Sequence, residues 1–119
     1  MLIHSIRYKE GAILEINLEV IGVNLIVKLF GELDHHTSGE VREIVGKRIE
    51  NGNIKNLIFD FDGVTFMDSS GLGVIIGRYK QIKLRGGRTL IIRAKPCVDK
   101  LLELSGIRQI INTDSEMAI

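Results

Sequence analysis

The 119 residues carry 45% hydrophobic and 26% charged side chains, enough apolar material for one compact domain and too much for a disordered or fibrous chain. With 16 basic against 15 acidic residues and a formal charge of +1, no long-range field draws the protein towards nucleic acid or an anionic membrane. A single cysteine, Cys97, excludes an internal disulfide and a thiolate zinc site, and with neither a membrane-length apolar run nor a signal-peptide core in Met1 to Gly11, a soluble, unexported, cytoplasmic protein is expected.

Ala12 to Ile16 and Asn24 to Phe30 are rich in β-branched and aliphatic residues and predict two antiparallel strands that reverse around Ile21, Gly22 and Val23. Glu32-Leu33-Asp34-His35-His36-Thr37-Ser38 predicts a polar loop, with Thr37 or Ser38 capping a helix that runs to about Glu50 on the stripe Val41, Ile44, Val45 and Ile49. Lys55 to Phe61 reads as a central strand buried on both faces. After Met67-Asp68-Ser69-Ser70, the set Leu72, Ile75, Ile76, Tyr79 and Ile82 recurs at helical spacing until Gly86-Gly87 ends a second helix. Arg88 to Arg93 predicts another strand. Pro96 opens a helix carrying Val98, Leu101 and Leu102, and Gly106 closes it before a short strand around Ile107 to Ile111.

The alternation of strand and helix from residue 24 onward predicts an α/β fold, a sheet with helices packed against it and function in loops at strand carboxyl ends. One domain is expected over residues 1–119, with 1–11 as an N-terminal extension and 115–119 as a short tail, where Ser115-Glu116 reads as the stub of a further helix. Two loops at strand carboxyl ends are unusually polar, Asp34 to Ser38 and Asp60 to Gly73, and they share one edge if their strands are adjacent and parallel. In the second, Asp68 or Ser69 caps a helix whose first turn holds Ser70, Gly71 and Gly73, a poor choice for helix stability alone. Small residues there admit a foreign backbone or a phosphate, which unpaired N–H groups and the positive end of the helix dipole favour. On the residues alone, simple capping and packing stand beside that reading.

The run Phe66-Met67-Asp68-Ser69-Ser70-Gly71-Leu72-Gly73-Val74-Ile75-Ile76-Gly77-Arg78-Tyr79-Lys80-Gln81-Ile82-Lys83, with Gly31-Glu32-Leu33-Asp34-His35-His36-Thr37 before it, resembles the anti-sigma factor antagonists of sporulating bacteria, within the STAS family. The likeness covers about Leu18 to Thr113 and is close to the sigma-F branch. It implies a STAS-type single domain, a mixed, mostly parallel sheet with helices against it, with no cofactor and no catalytic residue of its own. It further implies that an anti-sigma factor, a serine kinase, phosphorylates Ser69. The unphosphorylated form would bind that kinase and release the sigma factor, the phosphorylated form would let go, and a PP2C-type serine phosphatase would reset it. By the same likeness Asp34 sits beside the phosphorylated serine, and His35, Thr37, Asp68, Ser70, Gly71, Leu72, Gly73 and Ile76 belong to the partner-binding surface. Other signalling complexes with STAS modules remain as an alternative setting.

Leu57-Ile58-Phe59-Asp60-Phe61-Asp62-Gly63-Val64 carries a competing signal, similar to the first motif of haloacid dehalogenase-type phosphatases, with Asp60 as nucleophile and Asp62 as general acid around Mg²⁺. That chemistry needs a late acidic pair for the metal, and none follows Asp62. A response-regulator receiver would need an acidic pair after its first strand, which is also missing. Adjacent His35 and His36 diverge and lack a third ligand, so no metal is assigned. Cys97 is expected to pack in a first helical turn, Tyr79 to lie in the core, and Arg78, Lys80, Lys83, Arg85 and Arg88 to be solvated.

Overall fold

The computed structural model describes residues 2–9 and 12–114. Strands β1 (Leu2–Lys9), β2 (Ala12–Ile21) and β3 (Asn24–Leu33) form an antiparallel meander. Gly22 reverses the chain between β2 and β3 at φ +62°, a conformation open to glycine without a Cβ penalty. The chain then runs through α1 (Ser38–Asn51), β4 (Asn56–Met67), α2 (Ser69–Leu84), β5 (Thr89–Ile92), α3 (Pro96–Ser105), a 3₁₀ turn at Ile107–Gln109 and β6 (Asn112–Asp114). Among the described residues the six strands lie side by side in chain order, parallel from β3 to β6. The fold is the mixed α/β sheet that the alternation predicts.

Each crossover from β3 onward steps to the next strand in the same direction, and right-handed crossovers of that kind put every helix on one face. Packing follows: Val41, Val45 and Ile49 of α1, Val74, Ile75 and Ile82 of α2, and Val98 and Leu102 of α3 share one core with Leu25, Val27, Leu57 and Phe59. The other face holds a separate small cluster of Ile26, Ile58 and Ile92 with Leu90. β4 is central, with Leu57, Phe59 and Phe61 turned to the helices and Ile58 and Asp60 to the opposite face, all of them buried.

Several boundaries differ from the sequence reading. β3 continues to Leu33 and β4 to Met67, and the two pair along that length, Leu33 opposite Met67. A register slip brings Phe30 opposite Gly63, where a Cβ on Gly63 would lie 2.6 Å from the Leu29 carbonyl oxygen. The polar residues Asp60 and Asp62 therefore lie inside a strand, and the long loop expected from Asp60 to Gly73 shrinks to Asp68. At the far end, the strand expected around Ile107 to Ile111 is replaced by a 3₁₀ turn at Ile107–Gln109, with Ile107 and Ile111 buried, and the last strand follows at Asn112–Asp114. Within the stretch 1–11, Leu2–Lys9 adds an edge strand against β2. The predicted stub at Ser115-Glu116 lies outside the described residues. Among those described, no helix is long and apolar enough to cross a membrane.

Candidate functional site at the carboxyl edge of strands β3 and β4

Because β3 and β4 are adjacent and parallel, the connection leaving β3 and the one leaving β4 emerge at the same edge. Asp68 joins them. As N-cap of α2, its Oδ1 accepts the N–H of Ser70 at 2.8 Å and of Gly71 at 3.4 Å. Its Oδ2 accepts the His35 N–H across the edge at 3.2 Å, with the His35 Nδ1 at 3.7 Å. One carboxylate thus caps the helix and ties the β3–α1 loop to it, which resolves the choice between Asp68 and Ser69 as cap. It also occupies two of the N–H groups expected to be free for a phosphate.

The β3–α1 loop is closed on itself. Asp34 is 7% exposed and its Oδ1 accepts the N–H of His36 at 2.9 Å and of Thr37 at 3.3 Å, an Asx-type turn that shapes the loop without help from the rest of the fold. Thr37 is fully buried. It stands at the N-cap position of α1 but makes no side-chain cap; its hydroxyl instead donates to the Glu32 carbonyl and accepts the Asp34 N–H. Ser38 likewise bonds back to the Asp34 carbonyl rather than forward. The expected hydroxyl cap on α1 is therefore replaced by a loop lock.

Ser69 is exposed at the first position of α2, and its hydroxyl makes no hydrogen bond among the described residues. The two glycines beside it differ. Gly71 is buried, and a Cβ there would fall 2.8 Å from the Leu33 carbonyl oxygen and 2.6 Å from Met67 Cγ. Its place is in the close packing of helix on strand, and Thr37 of the expected partner surface is buried as well. Gly73 is exposed with open space where a Cβ would be. Gly77, which the sequence reading passed over, has the same open space. The spacing of four was the available signal: Ser69, Gly73 and Gly77 line up along one side of the helix. Leu72 and Ile76 are partly buried and pack on the core with their remaining surface outward.

α2 is pinned from behind. Arg78 Nη1 donates to the Arg42 carbonyl at 3.1 Å, Gln81 Nε2 to the Gly46 carbonyl at 2.9 Å, and Arg85 Nη1 to the carbonyls of Ile49 and Ile54. Burial, then the neighbouring Arg42 charge, lowers the Arg78 pKa from its ordinary value. Arg78 and Arg85 are thus structural rather than simply solvated. Cys97 is exposed instead of packed, and Tyr79 is partly buried against the core.

Asp60, by contrast, sits inside β4 at 3% exposure, its carboxylate gripped by Nε and Nη2 of Arg93. Its Oδ1 also accepts the Asp62 N–H. A carboxylate so engaged, away from the strand end, is not arranged as a nucleophile. Among the described residues no group of three or more His, Cys, Asp or Glu side chains is placed to hold a metal ion.

Comparison with known proteins places this geometry. The profile of the STAS domain matches residues 15–118. The anti-sigma F factor antagonist of Paenibacillus polymyxa is 45% identical over 87 residues, 73% of this chain and 74% of that protein. The structure of the anti-sigma factor antagonist SpoIIAA in its unphosphorylated form superposes with a TM-score of 0.76 at 32% identity, covering 85% of this chain and 89% of that one. The Bacillus cell fate determinant SpoIIAA in its phosphorylated form superposes with a TM-score of 0.68 at 31% identity, over 85% and 92% of the two chains.

Proposed function

The chain belongs to the STAS domain family, among its anti-sigma factor antagonists, and from that premise we propose that Ser69 is the phosphorylation switch of this regulator. The protein is a regulatory binding module rather than an enzyme. Its unphosphorylated form binds an anti-sigma factor that is also a serine kinase, and so frees a sigma factor, that of the sporulation sigma-F type. Phosphorylation of Ser69 ends the contact, a PP2C-type serine phosphatase restores it, and the exchange takes place in the cytoplasm.

The observation that carries this reading is the exposed Ser69 hydroxyl, without a hydrogen bond among the described residues, at the head of a row of small residues on a helix start already held by Asp68. Gly73 and Gly77 let a partner's backbone approach α2 closely, while His35, Ser70, Leu72 and Ile76 border that approach. The buried Asp34, Thr37 and Gly71 hold the edge in shape from beneath. A phosphate on Ser69 adds about −1.5 to −2 charges at neutral pH beside the carboxylate of Asp68. Bulk and repulsion then arise where the partner's surface must lie flush.

The test is phosphopeptide mass spectrometry after incubation with ATP and the anti-sigma kinase of the same organism, followed by capture of the kinase with each form. Phosphate on Ser69 of the wild type, none on Ser69→Ala, and capture by the unphosphorylated forms alone are the expected results. Phosphate on another residue, or equal capture by both forms, would refute the switch.

A further inference from the structure

β4 changes its period along its length. Its core residues come at every second position in Leu57, Phe59 and Phe61, and then at every third in Val64 and Met67. Each lengthened step is a bulge in the pairing with β3. Leu29 alone lies between Lys28 and Phe30 where β4 has both Phe61 and Asp62 between Asp60 and Gly63, and Glu32 follows Gly31 directly where Thr65 intervenes between Val64 and Phe66. The second bulge leaves Thr65 and Phe66 exposed and Met67 buried. In an unbroken strand Phe66 would take the inward place after Val64, and Met67 would point out. A bulge that re-aims a side chain in this way is a feature of functional edges.

The phenylalanines divide along the same line. Of the four in the chain, Phe59 and Phe61 are fully buried, while Phe30 and Phe66 are 40% and 48% exposed. Both exposed rings stand on the face of the sheet away from the helices. Leu29 and Leu33 of β3 face the core, so Phe30 and Glu32 face away from it, and Phe66 pairs opposite Glu32. Phe30 lies against Gly63, whose missing side chain leaves room for the ring. Exposed aromatic side chains gathered at one place mark a surface that a partner covers.

Phe66 stands three residues before Ser69, at most about 11 Å along an extended chain. An interface of standard size, about 800 Å² on each partner, reaches about 16 Å from its centre, so a protein that seats Ser69 also covers Phe66. The row of Ser69, Gly73 and Gly77 lets such a protein come close but gives it almost no apolar side chain to bury. We propose that Phe66, with Phe30 beside it, is the hydrophobic anchor for the anti-sigma kinase, which grips the sheet edge from both sides, α2 on one and the two rings on the other. The inference rests on the Ser69 switch. The kinase is the occupant rather than the phosphatase because the unphosphorylated chain has to hold it in a lasting complex, and buried aromatic anchors carry the energy of such complexes. The kinase accordingly presents an apolar pocket to the face of the sheet away from the helices.

The experiment titrates the anti-sigma kinase of the same organism with the unphosphorylated wild type, Phe66→Ala and Leu84→Ala in a calorimeter, and footprints the wild-type complex with hydroxyl radicals. Phe66→Ala should bind about thirtyfold more weakly, the scale of an aromatic hot spot, and still melt cooperatively. Leu84 is 90% exposed at the far end of α2, and Leu84→Ala should bind as the wild type does. In the complex the rings of Phe30 and Phe66 should be shielded from oxidation while Leu84 keeps the reactivity it has in the free chain, a readout that needs no substitution. Wild-type affinity in Phe66→Ala, an equal loss in Leu84→Ala, or an unshielded Phe66 would each overturn the anchor and leave the Ser69 switch standing. Wild-type kinase affinity in Phe66→Ala with slowed removal of its Ser69 phosphate would overturn it in favour of the phosphatase. A wild-type chain that neither binds the kinase nor gains phosphate on Ser69 would remove the switch, and the anchor with it.

Discussion

Asp60 and Asp68 belong to one stretch of chain and meet opposite circumstances. Asp60 lies within β4 with 4% of its side chain exposed, held by Arg93, while Asp68 follows the strand with 30% exposed and three backbone N–H groups on its carboxylate. In the sequence, Asp60 and Asp62 look like catalytic chemistry and Asp68 looks like a helix cap. In the fold, Asp60 is a structural tie and Asp68 organises the edge that carries Ser69. A carboxylate's role follows from what the chain places opposite it, and Arg93, far along the sequence and held at φ +57°, cannot be seen from residue 60.

The comparison is broken first at Asp60. Asp60→Asn keeps the shape and removes the charge that faces Arg93, whose pKa is raised from its ordinary value by its hydrogen bond to Asp60 and then by that carboxylate's charge. Losing one partner of a buried ion pair costs several kcal/mol, but Arg93 is 41% exposed and can reach water. The expected loss is about 2 to 3 kcal/mol, read from the denaturation midpoint, with Ser69 phosphorylation unchanged. A loss of phosphorylation in a variant that still folds would place Asp60 in the functional machinery after all. Next comes Gly71→Ala, which drives a methyl group into the Leu33 carbonyl. It should cost about 2 kcal/mol, since overpacking exceeds the helix propensity gained. An unchanged midpoint would show that Gly71 is not the packing glycine.

The alternation, the central strand and the helix stripes were legible because each depends on local period: two in Phe59 and Phe61, about four in Val41, Val45 and Ile49. The end of β4 was not. Asp60, Asp62 and Gly63 are turn-forming residues by composition, and they stay in the strand because β3 runs beside them to Leu33 and the slip at Phe30 accommodates Gly63. Ser69 and its neighbours could be singled out, through the small residues at a helix start and through family likeness. The division of labour between Gly71 and Gly73 could not, because it depends on which glycine faces Leu33. The same holds for Thr37, a good cap by residue type, whose hydroxyl turns to Glu32 because the loop leaves that carbonyl within reach.

At Asp68 the comparison sharpens to smaller effects. Asp68→Ala removes the cap and the tie to His35 together, for a loss of about 1 kcal/mol. Asp68→Asn retains an oxygen for Ser70 and Gly71 and should lose only a few tenths of that. If both variants lose equally, the carboxylate's charge rather than its hydrogen bonds holds the helix start.

The smallest effect is at Gly73, and it has the opposite sign. Open space at its Cβ position means that Gly73→Ala meets no clash and gains helix propensity, raising stability by about 0.5 to 1 kcal/mol. The added methyl group nevertheless stands on the row that runs from Ser69 to Gly77, where the proposed docking brings the partner's backbone. The variant should therefore melt higher and capture the anti-sigma kinase less well, a pairing that misfolding cannot produce. Gly71→Ala reverses the first half of that result, so the two substitutions separate the glycine that builds the edge from the glycine that presents it. Undiminished capture by Gly73→Ala would move the docking surface away from α2.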